Sequence, residues 1–178
     1  LETIADSKPG LFFNTITNEL MREVRVVPCA YQRKFLQWAP RKEGGGYRGE
    51  HDPIAVETGK LPNMTVVDGL RTIQRTQGEG ASQRVIADEL KDTRNHFVLF
   101  LGANGVWQPA LISMSSTQVK KSKQWMSLIG GREMRTPEGK PFVPPSFSHI
   151  YLLKTKKEEN SQGSWWGYQI EVVQALDP

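Results

Sequence analysis

Aromatic rings and basic side chains interleave at four places in this sequence. Together they are what a single strand of nucleic acid needs: rings on which bases stack, and cations that track phosphates. The first is Tyr31-Gln32-Arg33-Lys34-Phe35-Leu36-Gln37-Trp38-Ala39-Pro40-Arg41-Lys42, the second Gly46-Tyr47-Arg48-Gly49, and the third Lys121-Ser122-Lys123-Gln124-Trp125. The fourth sets Tyr151, Lys154, Lys156 and Lys157 across a hairpin from Trp165-Trp166-Gly167-Tyr168. Tyr31, Phe35, Trp38, Tyr47, Trp125, Tyr151 and Trp166 are therefore the candidate stacking rings. Arg33, Lys34, Arg41, Lys42, Arg48, Lys120, Lys121, Lys123, Lys154 and Lys156 are the candidate phosphate contacts. Adjacent Trp165 and Trp166 must point to opposite faces of a strand, so at least one is expected outside the core.

Charge is distributed in the same sense. The formal net is only +4, but 116–157 holds nine Lys or Arg against Glu133 and Glu138, and 158–178 holds four acids and no base. A basic block followed by an acidic end fits a polyanion-binding surface. A merely solvated face is the competing reading.

Catalytic patterns are sparse. The sequence has no phosphate-loop pattern, no G-x-G-x-x-G after a strand and no G-x-S-x-G elbow. Gly44-Gly45-Gly46 has no helix after it and reads as a connector. One cysteine, Cys29, leaves no internal disulfide or cysteine-built zinc site, and it is expected to be a small buried hydrophobe. His51, His96 and His149 stand singly, so neither a metal nor a cofactor is expected. One enzyme-like spacing remains. Asp68 followed about twenty residues later by Glu89-Leu90-Lys91 is how some metal-dependent nucleases place two carboxylates on Mg²⁺ and a lysine beside the attacking water. A nuclease using Asp68, Glu89 and Lys91 is thus the alternative to a non-enzymatic binder.

The elements that must position these residues are mostly strands. With 178 residues, 38% hydrophobic and 24% charged, the chain fits one domain with a core of its own. It has no apolar run near the roughly 20 residues needed to cross a bilayer. No signal-peptide pattern follows Leu1, so an intracellular chain, trimmed or partial, is expected. Leu11 to Met21 can supply a short hairpin arm turning near Asn18, and Arg22 to Trp38 a long strand bent or at an edge near Pro28. Pro40 to Met64, rich in Gly and Pro, reads as a long loop. Val66-Val67 suggests a short strand, Gln77 to Ser82 a flexible tip, and Arg84 to Leu90 either a strand or a short helix. His96 to Leu101 and Val106 to Met114 flank Gly102-Ala103-Asn104-Gly105, a strong hairpin signal because Asn and Gly tolerate positive φ.

A helix capped by Ser115 or Ser116 should run to Ile129 and stop at Gly130-Gly131, with Val119, Met126 and Ile129 inward and Lys120, Lys121 and Gln124 outward. His149 to Lys157 and Trp165 to Ala175 close the chain as strands. The order strand, excursion, strand, strand, helix, strand, strand is that of an OB-fold. The expected architecture is mainly β: a five-stranded Greek-key barrel with one helix between the third and fourth strands and long loop insertions.

Three blocks carry a family resemblance: VVPCAYQRKFLQWAPR with the following GGGYRGEH, PALISMSSTQVKKSKQWMSL, and GSWWGYQI. They resemble the single-stranded DNA-binding proteins of tailed bacteriophages, over most of the chain from about Gly10 to Val173. The resemblance implies an OB-type protein that coats single strands during phage replication or recombination in the cytoplasm of the infected cell. Its expected partners are single-stranded DNA and phage replication or recombination proteins. RNA stays open beside DNA because stacking platforms accept either polymer. A homo-oligomer also stays open, and no membrane is implied.

Overall fold

The computed structural model describes residues 6–67, 69–161 and 163–176. In chain order the elements are β1 (Phe12–Phe13), β2 (Leu20–Met21), β3 (Glu23–Trp38), β4 (Tyr47–His51), α1 (Pro53–Glu57), β5 (Met64–Val67) and β6 (Leu70–Gln77). There follow β7 (Arg84–Leu101), β8 (Trp107–Ser115), α2 (Val119–Gly130), β9 (Met134–Arg135), β10 (Pro141–Phe142), β11 (His149–Asn160) and β12 (Gly163–Ala175). The protein is mainly β, as its alternating apolar runs and Gly/Pro punctuation predict. No helix among the described residues is long and apolar enough to cross a membrane. The chain divides into two compact units: Leu1–Tyr31, His96–Ile112 and Thr117–Pro178 form the first, and Gln32–Asn95 with Ser113–Ser116 the second.

In the first unit, β11 pairs antiparallel with β12 along its length and with Glu23–Val26 of β3. β3 also pairs with β7, and β7 with β8. The β7–β8 turn falls on Gly102–Gly105, with Gly105 at φ 75° and the Gly102 N–H donating to the Val106 carbonyl at 3.0 Å. The closed barrel expected from the sequence is not formed. Among the described residues no pairing joins β8 to β12, so the sheet stays open. The β1–β2 hairpin, turning at Asn18 (φ 61°), lies on that side. Phe12 stacks on Tyr168 of β12 at 5.7 Å, and residues 12–17 face β8 across an apolar cavity of about 310 Å³.

The core of this unit is built on alternation. Val24 and Val26, Val98 and Phe100, and Tyr151 and Leu153 sit two residues apart on three strands and are all buried. α2 closes the core with Ser122, Trp125 and Ile129, which share one helical face. Fully buried Trp125 stacks on His96 at 4.5 Å and meets Tyr151 edge-on at 5.8 Å, while the His96 Nε2 lies 2.8 Å from the Ser122 hydroxyl. The helix begins after a 3-10 turn at Ser116–Gln118 with no side-chain cap, and ends at Gly130 with Gly131 beyond it. Cys29, expected inside, is exposed. Its neighbours Val27 and Pro28 take the interior positions and leave it on the outer side of β3.

The second unit corrects the loop expected over Pro40–Met64, which holds β4 and α1. Asp52 caps α1 by accepting from the backbone N–H of Ile54 (2.7 Å) and Ala55 (3.3 Å), with Pro53 at the first helical position. β5, β6 and β7 form an antiparallel meander, and the last four residues of β3 pair with β4. Phe35, Val56 and Leu90 are its buried core, with Leu61, Met64 and Ile73 packed against them.

Around that core the sheet carries paired charges. Arg33 binds Asp92 through two hydrogen bonds of 2.9 and 3.1 Å and reaches Glu57 at 2.6 Å, and Arg94 reaches Asp92 at 2.9 Å. Buried Asp88 accepts from Arg75 (2.9 Å) and Gln37 (2.8 Å), and Gln37 in turn contacts His51 at 2.9 Å. Burial opposes ionisation of Asp92, but the hydrogen bonds from Arg33 and Arg94 outweigh it and hold the carboxyl below its usual range. A depressed carboxylate stabilises the fold above its unfolded-state pKa of about 3.9, and that contribution is lost as pH falls through the lower folded value. Urea midpoints of the protein and of Asp92→Asn, followed against pH, are expected to differ at neutral pH and converge below about 4. A gap that does not narrow as the pH falls below about 4 would contradict this assignment.

Candidate nucleic-acid interface

The structure sorts the sequence-derived candidates by burial and by charge partner. Phe35 (1% exposed), Trp125 (0%) and Tyr151 (1%) are core residues, so they present no face to a base. Arg33 is bound to Asp92 and Glu57, Lys34 to Glu50 at 2.9 Å, and Lys121 to Glu158. Lys154 lies 3.9 Å from Glu171 and 4.0 Å from Glu23. Tyr31 is partly exposed, its ring 5.2 Å from that of His96. Trp166 is partly exposed and packs over Gly10, where φ is +94° and a Cβ would lie 2.6 Å from the indole. Lys120, Lys123 and Lys156 are exposed.

What remains together is the β3–β4 hairpin of the second unit. Trp38 and Tyr47 are cross-strand neighbours whose rings sit 5.7 Å apart at 65°, and they are 39% and 53% exposed. A bulge between Gln37 and Trp38 shifts the register just before the pair and re-aims the ring. The connection turns through Arg41–Glu43 and then three successive glycines, Gly44, Gly45 and Gly46, at φ 86°, 63° and 102°. A side chain at any of them would be strained, which is why the turn is written in glycine. It closes with the Ala39 N–H donating to the Gly46 carbonyl at 2.9 Å. Arg41, Lys42 and Arg48 flank the two rings, are exposed, and have no carboxylate partner among the described residues. Glu43, the acid in the turn, is taken up by Arg84 at 2.7 Å. The hairpin thus offers two ring faces and three uncommitted cations with the nearby acid already neutralised.

Sequence reasoning missed the exposed rings of Phe97, Phe142 and Phe147. Phe97 is 41% exposed and Leu99 37%, whereas His96, Val98 and Phe100 are buried. The signal was present in HFVLFL, because strict alternation puts Phe97 and Leu99 on the outer face once the other three are assigned inside. For the nuclease alternative, Glu89 and Lys91 lie on β7 two residues apart and so share a face, while Asp68 lies outside the described residues. Among the described residues no group of three or more His, Cys, Asp or Glu side chains is placed to hold a metal ion.

A comparison with protein families matches residues 2–178 to the family described as Pam3 phage gp34-like protein. The chain belongs to that family. It is thus a phage protein, and membership covers both units, the hairpin included. Comparisons of this gp34-like protein with curated proteins and with solved structures gave no match.

Proposed function

We propose that this gp34-like protein binds single-stranded DNA without reading its sequence, and coats it during phage replication or recombination in the cytoplasm of the infected cell. The observation that carries this reading is the Trp38–Tyr47 pair with Arg41, Lys42 and Arg48 around it. Rings accept any base by stacking, and unpaired cations beside them follow a backbone. The first unit is read as an open OB-type fold. Its long elements run β3, β7, β8, α2, β11, β12 in chain order, with β3 beside both β7 and β11, β8 beside β7, and β12 beside β11. In OB proteins the loop between the first two strands commonly contacts nucleic acid. Here most of the second unit, including the hairpin, is the connection between β3 and β7. Replication or recombination proteins of the phage are the protein partners this role would bring.

Fluorescence anisotropy of a labelled single-stranded oligonucleotide, titrated over a salt series, tests the reading. Each phosphate contact contributes about 0.7 to the slope of log K against log salt for a single strand. Lys42→Ala is expected to make that slope shallower by about 0.7, while Lys121→Ala, whose ammonium is held by Glu158, leaves it unchanged. Added Mg²⁺ should leave the oligonucleotide full length. Shortening of the DNA would instead favour the nuclease reading on Glu89 and Lys91.

A further inference from the structure

A second basic surface lies in the first unit, and its chemistry differs from that of the hairpin. An open groove of about 760 Å³ runs between α2 and β12, lined by Lys120, Lys121, Lys123 and Lys156 against one acid, Glu158. Lys120, Gln124 and Leu128 follow one another at four-residue spacing, so they form a row along the helix about 12 Å long. Leu128 is 42% exposed, and Ile170 of β12 faces it across the groove. Of the aromatic residues here, Trp125 is fully buried, and the half-buried Tyr168 ring is already stacked on Phe12. The groove therefore combines lysine ammonium groups with the aliphatic side chains of Leu128 and Ile170.

Glu158 shows what such a groove holds. One of its carboxylate oxygens takes the Lys121 ammonium and the other accepts from the Trp165 indole at 3.1 Å. The hydrogen bond from Lys121 outweighs the cost of burial and keeps the Glu158 carboxyl below its usual range. One carboxylate is thus already seated, whereas Lys120 and Lys123 are exposed with no carboxylate partner among the described residues. The Trp125 indole N–H at the floor also has no acceptor among the described residues.

We infer that the α2–β12 groove is a docking site for an acidic peptide segment of a protein partner, carrying an aliphatic side chain next to its carboxylates. Some four residues of extended chain span a 12 Å row. The carboxylates meet Lys120 and Lys123, and the aliphatic side chain covers Leu128. This site is separate in sequence and chemistry from the hairpin and does not depend on DNA binding there.

The test uses the whole protein and a labelled eight-residue peptide of Asp and Glu around a central Leu, with its Asn/Gln counterpart as control. The acidic peptide is expected to bind at least tenfold more tightly than the amide control. Lys123→Glu and Leu128→Asp, both at exposed positions, are each expected to weaken it at least tenfold while leaving thermal unfolding unchanged, and Trp38→Ala is expected to leave it unaffected. Three results would overturn the inference: no peptide binding at 50 mM salt, binding that neither groove variant alters, or a single-stranded oligonucleotide that loses as much affinity in Leu128→Asp as the peptide does. The last would make the groove a nucleic-acid surface. Absence of DNA binding by the wild-type protein, with peptide binding intact, would refute the proposed function and leave this inference standing.

Discussion

Trp38→Ala is expected to weaken single-strand binding by about 5- to 150-fold, the equivalent of the roughly 1–3 kcal/mol that a stacked base contributes. The ring is suited to the role because the fold makes little use of it. It is 39% exposed, its contact with Tyr47 is edge-on, and the buried core of its unit is formed by Phe35, Val56 and Leu90. Removing it therefore takes away a stacking surface with little loss of packing, and the melting temperature is expected to stay within a few degrees of wild type. Trp38→Phe keeps a π-face at the same place and should recover most of the affinity. Anisotropy titrations of the three proteins at one salt concentration check this. Equal affinities for wild type and Trp38→Ala would remove the hairpin from the interface.

The opposite outcome is expected for Trp125, the other tryptophan flanked by basic residues. Trp125→Ala leaves a large cavity beside His96, Ser122 and Tyr151, and a buried Trp-to-Ala change costs about 3–5 kcal/mol. At roughly 2–4 °C per kcal/mol for a chain of this size, the melting temperature should fall by the order of 10 °C. The protein that remains folded at low temperature should bind single strands as wild type does, because the ring presents no face to solvent. Calorimetric melting and low-temperature titration separate the two effects. A variant that melts like wild type yet binds poorly would put Trp125 in the interface after all.

This contrast marks what could be read from the sequence. Both tryptophans sit among lysines or arginines, and that neighbourhood alone suggested two stacking rings. Helical spacing distinguishes them: Ser122, Trp125 and Ile129 share a face, and the largest side chain on α2 takes the interior in preference to Met126, which is only partly buried. The C-terminal end of α2, the Gly102–Gly105 turn and the two C-terminal strands were legible because glycine punctuation and apolar alternation agree there, whereas the cap expected at Ser115 or Ser116 is not made: a 3-10 turn over Ser116–Gln118 leads into the helix without a side-chain cap. β6 was not legible, and over the first half of β7 the pattern allowed either a strand or a short helix. Leu70–Gln77 and Arg84–Arg94 are rich in charge, and they form strands because Asp88, Asp92, Arg75, Arg33 and Arg94 satisfy one another across the sheet, a pairing visible only after folding. The same network explains why Arg33 is a weak phosphate candidate while Arg41 and Lys42 on the turn and Arg48 on β4, none of them paired with those carboxylates, stay uncommitted.

The most direct test of the central claim is photocrosslinking of a single-stranded oligonucleotide containing 5-bromodeoxyuridine, with the crosslinked peptides mapped by mass spectrometry. Crosslinks in the segment from Trp38 to Arg48, lost with Trp38→Ala, are the expected result. Crosslinks confined to α2 and the β11–β12 hairpin, with none between residues 38 and 48, would contradict it.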